Sequence, residues 1–431
     1  MSENIPQQIS SIDTLFLETP PSCIQFSHLH PAYFVIGTYF LENPERDEQE
    51  QGETQSENTV DENNPQERTG SLVLCKLTNN KIDIINTCKT AYAILDVHFA
   101  YEGHGDEREQ TTVFWTANST GSIAEYEIVF PEEPGKPWIV QRSLHQLYAE
   151  DILVLSFCWH PRDSTLMSTT LSNGEVHVLR KTTQTLEGKT TWRESKQKPA
   201  SHELEAWISC FSSFEGEGKD VLFSGGDDAV LQYTSIPTEF QDKQEQEQDQ
   251  HDEIAPLPPT SLPKKFHNAG ITSLLPLPVP SPLLLTGSYD DTIRLLRPSP
   301  RPTLLATHPL TGGVWRLKLL SPNPSTPQNQ NPNSSTYDIL ASCMHAGTQI
   351  IRLRIDDSDS RGDGNVKANF EVLARFSENE SMNYGSDVQP KSGGEEEEEE
   401  EKTRGHIIVS TSFYDKRVCL WIFREETKIK S

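Results

Sequence analysis

The strongest constraint on this 431-residue chain is a unit of three short β-type runs that recurs seven times between Cys23 and Phe423. The first unit opens with Cys23-Ile24-Gln25-Phe26 and continues through AYFVIGTYF to GSLVLCKL; the second reads ILDVHFA, TTVFWTAN, GSIAEYEI. ILVLSFCWHP, STLMSTT, GEVHVLR and AWISCFSSF, DVLFSGGDD, AVLQYTSI form the third and fourth. The fifth is GITSLLPL, PLLLTGSYDD, TIRLLRP, the sixth GVWRLKLL, DILASCMHAG, TQIIRLRI, and the seventh MNYGSDV, HIIVSTSFYD, KRVCLWIF. Val, Ile, Leu, Phe and Thr suit a pleated surface, and Gly, Asn, Asp or Ser between the second and third runs suits a tight turn. One such unit cannot bury its own apolar face, so the repeat implies stacked neighbours.

Three strands per unit, with a fourth from each variable connection, is the content of a propeller blade. The expected fold is therefore all-β: a seven-bladed β-propeller forming one domain over residues 1–431. Setting aside the acidic tracts, each unit averages about 53 residues. That exceeds the roughly 40 to 45 of a plain blade, and the surplus sits in loops such as SPNPSTPQNQNPNSST. An open array would expose a sheet edge. Ile12 to Leu17 (IDTLFL) precedes the first unit and is expected to close the ring as the outermost strand of the last blade.

The net charge of −27 is unevenly spread, with 18 of those charges in 58 residues at 42–69, 238–253 and 391–404. Tracts so rich in Glu, Gln, Asn and Pro cannot bury enough apolar surface to offset ordering, so disordered acidic insertions are expected at 42–69, 238–263 and 389–404. No cluster of Lys and Arg exists to displace counterions, which argues against nucleic-acid binding and against an anionic membrane surface. Seven scattered cysteines without a CxxC pair argue against a disulfide framework or a zinc knuckle and for a reducing compartment. The N-terminus has no signal-like apolar run, and LLPLPVPSPLLL is interrupted by prolines, so a soluble, cytoplasmic protein without a membrane span is expected.

The sharpest motif is Gly287-Ser288-Tyr289-Asp290-Asp291-Thr292-Ile293-Arg294-Leu295, which resembles the turn and strand of WD repeats; it recurs around Gly225-Gly226-Asp227-Asp228 and at Ser412-Phe413-Tyr414-Asp415. An aspartate there pins the hairpin, so Asp228, Asp290 and Asp415 read as structural. The sixth unit places His345 at that position, where it either braces the turn or serves proton transfer near neutrality. There is no GxSxG elbow; His202-Glu203-Leu204-Glu205-Ala206 lacks the second zincin histidine, and Thr183 stands where the phosphate loop before Gly188-Lys189-Thr190 needs glycine. No metal, nucleotide or other cofactor is expected, and residues alone leave an interaction platform as the default.

Resemblance adds a function. Gly312-Gly313-Val314-Trp315-Arg316, Cys343-Met344-His345-Ala346-Gly347, Tyr384-Gly385-Ser386-Asp387 and Ser412-Phe413-Tyr414-Asp415, in that order, resemble the WD-repeat diphthine methyl ester hydrolases of diphthamide biosynthesis, also called diphthine methyltransferases. The resemblance is dense from His267 to Trp421. The family usually carries a histidine shortly before the Tyr-Gly pair, where this chain has Glu378-Asn379-Glu380-Ser381. What the resemblance implies is hydrolysis of the methyl ester of diphthine on elongation factor 2 to diphthine and methanol, by a monomer whose partner is that protein substrate. His345 is then the candidate base, acting on water or on Cys343, with the Gly312 and Gly313 amides facing the oxyanion. Trp315, Tyr289, Tyr384 or Tyr414 would hold the trimethylammonium, and Asp387 would add charge. The competing reading is a non-enzymatic adaptor, as in trafficking or ubiquitin ligation.

Overall fold

A computed structural model describes residues 5–41, 67–103, 109–132, 135–184, 189–194, 199–213, 220–236, 260–261, 266–278, 283–298, 302–320, 334–357, 366–391 and 405–425. Among them there is no α-helix, and the strands assemble into seven sheets of four or five strands, antiparallel but for one parallel pair. These are the seven blades of a propeller. The innermost strands, Pro21–Phe26, Ile94–Glu102, Val154–Trp159, Ala206–Ser213, Ile271–Pro276, Arg316–Leu319 and Ser386–Val388, succeed one another around the axis.

Burial follows position within a blade. A middle strand is covered by the neighbouring blades on both faces, and Leu166–Leu171 is accordingly buried at every residue. The outermost strand Trp138–Gln146 meets the interior with one face, and exposed and covered residues intersperse along it. Apolar clusters fill the seams between blades. One joins the fifth and sixth through Leu285, Ile293, Val314, Ile339 and Cys343, all fully buried. In another, the Phe376 and Trp421 rings stack at 5.2 Å, and the Trp421 indole donates to Ser410 Oγ at 2.9 Å.

The ring closes as the sequence implies: Asp13–Phe16 runs antiparallel to Arg417–Phe423 as the fourth strand of the seventh blade. Just before it, Gln7–Ile9 pairs in parallel with Ala374 to Phe376 of the sixth blade. The N-terminal segment thus stitches two blades together. Strands reach into the edges of the expected acidic insertions: Arg68 and Thr69 begin a strand, and Thr260–Ser261 pairs with Gln232 and Tyr233 as the outer strand of the fourth blade. The remaining parts of those tracts, 42–66, 238–259, 262–263 and 392–404, lie outside the described residues. Among the described residues no helix is long and apolar enough to cross a membrane.

Candidate active site

The connections that enter the innermost strands meet the turns between the second and third strands. The turn aspartates act as the sequence suggests. Asp228 accepts from His202 Nδ1 at 3.1 Å, from the Glu203 amide at 3.1 Å and from the Val230 amide at 3.0 Å. Asp290 takes a two-pronged contact from Arg294 at 2.8 and 2.6 Å and caps the Asn268 amide at 2.9 Å. Asp415 accepts from the Ser412 hydroxyl and from that of Ser381, the latter at 2.8 Å. Each carboxylate is committed to holding its hairpin.

The sixth blade is built differently. Its turn is held by backbone bonds, with the Cys343 amide donating to Gly347 at 2.7 Å and the Ala346 amide to Cys343 at 2.8 Å. Asn383 of the next blade donates its amide to the Met344 carbonyl at 3.1 Å. Met344 has φ 43°, a left-handed backbone uncommon outside glycine. His345 is exposed at the tip and its side chain makes no hydrogen bond among the described residues. It does not brace the turn.

Cys343, a candidate nucleophile from sequence, is instead a core residue. It is fully buried in the seam between blades five and six, its thiol faces the Ala341 carbonyl at 3.6 Å, and burial drives its pKa far up, so it stays a thiol. Gly312 and Gly313 are both buried against the same turn. A Cβ on Gly312 would collide with the Cys343 carbonyl and come within 2.7 Å of Ala346 Cβ, and one on Gly313 would lie 2.7 Å from Met344 Sδ. Glycine here allows two loops to touch. Neither amide donates a hydrogen bond among the described residues.

Three of the four aromatic candidates converge. The Trp315 ring lies 6.0 Å from Tyr289 and 5.0 Å from Tyr384. Trp207 of the fourth blade, which sequence reasoning missed, completes the group at 5.5 Å from Trp315 and 6.0 Å from Tyr289, crossing them at 64° and 81°. Its indole donates to Asp227 Oδ1 at 3.1 Å. A signal for it existed: in Ala206-Trp207, Val314-Trp315 and Asn383-Tyr384 a fully buried residue precedes a half-buried aromatic on entry to an innermost strand. Tyr414 stands outside the group, 67% exposed and in ring contact with Phe413 at 5.0 Å.

The charge around the group also departs from expectation. Asp387 is instead paired with Lys318 at 3.0 Å and accepts from the Phe26 amide at 2.8 Å, so it adds no free charge to the rings. Asp227 takes that place. Burial raises the pKa of the Tyr289 hydroxyl, the neighbouring Tyr384, Asp227 and Glu205 raise it further, and Arg316 opposes them. Tyr289 therefore stays a neutral donor. Among the described residues no group of three His, Cys, Asp or Glu is arranged to hold a metal ion.

Comparison with known proteins supplies a lineage. No family model matches the chain. It is 24% identical over 410 residues to a protein of Schizosaccharomyces pombe named diphthine methyltransferase, covering 95% of this chain and 96% of that one. With the human protein of that name it shares 27% over 332 residues, covering 73% of this chain and 61% of the human one. A Dictyostelium discoideum homologue shares 25% over 303 residues, covering 70% and 71%. The likeness thus extends well beyond His267 to Trp421. Among solved structures the backbone matches Sqt1 of Chaetomium thermophilum with a TM-score of 0.57 at 13% identity, covering 97% of this chain and all of that one. The same protein bound to the N-terminus of ribosomal protein L10 matches at 0.55 and 14%, covering 96% of this chain and all of that one. At such identities the match concerns the fold.

Proposed function

We propose that this chain, a homologue of the diphthine methyltransferases, acts in diphthamide biosynthesis as a carboxyl methylesterase on elongation factor 2. It removes the methyl ester of diphthine as methanol and leaves the free carboxylate. The observation that carries the reading is the convergence of Trp207, Tyr289, Trp315 and Tyr384 from four consecutive blades beside the Asp227 carboxylate. Aromatic faces with a nearby anion attract a quaternary ammonium, the permanent charge of diphthine.

In this reading water is the nucleophile, because the Cys343 thiol is buried and protonated. His345, exposed and uncommitted, takes the proton as water attacks the ester carbonyl. The tetrahedral intermediate then expels methoxide, which leaves as methanol after taking a proton from His345. The Gly312 and Gly313 amides, unpaired among the described residues, are the donors available to the developing oxyanion from the backbone. The chain would work as a single-domain, cytoplasmic monomer without a cofactor.

The test is to incubate the purified protein with elongation factor 2 carrying the methyl-esterified intermediate and to weigh the modified peptide. Hydrolysis lowers its mass by about 14 Da per catalytic event, the difference between CH3 and H, and releases methanol. A gain of the same size would indicate methyl transfer. An unchanged mass with folded protein and competent substrate would leave an adaptor as the function.

A further inference from the structure

Arg316 is the first residue of the innermost strand of blade six, directly after Trp315. Its guanidinium carbon lies 4.9 Å from the Trp315 ring centroid. One terminal nitrogen, Nη1, is anchored, donating to the carbonyls of Thr272 at 3.1 Å and Trp315 at 3.0 Å. Nε and Nη2 have no partner among the described residues, and no carboxylate there comes within ion-pair distance of this half-buried cation. Arg294 and Arg352, by contrast, are each paired directly with an acid, whereas the buried Asp96 feels Arg316 only at longer range. Arg316 is thus fixed by one arm with the other arm free.

Beside Trp207 and Tyr289 stands the opposite charge. Asp227 has one oxygen fixed by the Trp207 indole, and its second oxygen has no partner among the described residues. Gly270 lets it lie close to Tyr289: a Cβ there would collide with Asp227 Oδ1 and sit 3.0 Å from the Tyr289 ring. Both Asp227 and Arg316 act electrostatically on the Tyr289 hydroxyl, with opposite sign. The aromatic group therefore has an anchored anion at Trp207 and an anchored cation at Trp315. A simple cation needs only the first.

We propose that Arg316 is the specificity-determining residue for the carboxyl arm of the diphthine substrate, holding the carboxyl oxygens one carbon away from the quaternary ammonium while Asp227 and the rings hold the ammonium. The planar fork of guanidinium matches a carboxyl group in two parallel hydrogen bonds, and stacking on Trp315 sets its plane beforehand. The assignment deepens the esterase reading, since the substrate's ester carbonyl and the product's carboxylate occupy the same arm. Arg316 then takes over much of the oxyanion role that the Gly312 and Gly313 amides would otherwise carry.

The test uses the full chain and small probes, read by titration calorimetry. Glycine betaine carries both charges, tetramethylammonium lacks the carboxylate, and 3,3-dimethylbutanoate replaces the charged nitrogen with carbon at the same shape. Betaine should bind about 10-fold tighter than either partial probe. Arg316→Gln should abolish the advantage over tetramethylammonium while leaving tetramethylammonium within about two-fold, and Arg316→Lys, which keeps charge but loses the fork, should fall between. Asp227→Asn should abolish the advantage over 3,3-dimethylbutanoate. Thermal melts confirm that each variant is folded. Equal binding of betaine and tetramethylammonium by the unmodified protein, or an equal loss of both in Arg316→Gln, overturns the proposal. Betaine selectivity without ester hydrolysis would retire the esterase reading and leave the binding site; hydrolysis without that selectivity would retire the binding site alone.

Discussion

Replacing Asp228 with alanine tests whether the turn aspartates are structural supports, as their geometry states, or part of the chemistry nearby. The His202 and Asp228 side chains are 0% and 3% exposed. With His202 Nδ1–H donating to the carboxylate, Ser224 donates to Nε2 across 3.0 Å, so one aspartate orders a buried chain of three side chains. Alanine leaves that imidazole N–H and the Glu203 and Val230 amides without their acceptor. Breaking a buried charged contact of this kind costs about 3 kcal/mol, which for a ring of this size lowers the melting temperature by about 5 °C.

The pH dependence adds a second reading of the same variant. Burial alone would raise the Asp228 pKa, but hydrogen bonds and charge from His202 and the two amides outweigh it and lower it below the usual carboxylate value. A group depressed in the folded state contributes its full stability above the unfolded pKa, about 4, and loses it as pH falls through the folded value. The gap in melting temperature between the two proteins should therefore be constant from pH 7 to about pH 5 and narrow below that. Scanning calorimetry at four pH values, with ester turnover measured on the folded fraction, checks both. An Asp228→Ala protein that melts within 1 °C of the unmodified chain yet has lost turnover would refute the structural assignment.

His345→Ala should lose at least about 100-fold in kcat at an unchanged melting temperature, because the side chain is exposed and supports nothing around it; retained turnover would remove it as the base. Cys343→Ser should cost about 1 to 2 kcal/mol in urea unfolding by placing a hydroxyl in an apolar seam, with turnover per folded molecule preserved. Gly312→Ala should shift the urea midpoint by the equivalent of about 2 kcal/mol, since its Cβ meets a backbone carbonyl that has nowhere to move. Deleting the residues through Leu17 exposes the edge of Arg417–Phe423 and should convert a single light-scattering species into larger assemblies; a well-behaved species of unchanged stability would argue that the edge is protected another way.

The ring was legible in the chain because its logic is local. A strand followed by Gly-Ser-Tyr-Asp-Asp and another strand specifies a hairpin without outside help, and the closing run Ile12 to Leu17 is a short apolar stretch set directly before the first unit. The parallel strand Gln7–Ile9 was not legible: three residues, QQI, carry no pattern, and the pairing depends on an edge more than 360 positions away. At the site, Tyr289, Trp315 and Tyr384 stood out within motifs, whereas Trp207 and Asp227 belong to a degenerate unit, and their pair within the fourth blade joins Tyr289 only where that blade meets the fifth. Cys343 misled through proximity in sequence. Two residues from His345 around a tight turn, it points into the seam while the histidine faces outward.

The stitching of blades six and seven by the first residues has a temporal side. During synthesis Asp13–Phe16 leaves the ribosome before any blade exists, while its partner Arg417–Phe423 is made some 400 residues later. At about 5 to 20 residues per second, that strand waits roughly 20 to 80 s for the edge it belongs to. Through that interval six blades can stack in order, but the circle stays open and the nascent chain carries two unmated ends. Locking waits for the seventh blade, whose strand is captured by a segment made some 400 residues earlier.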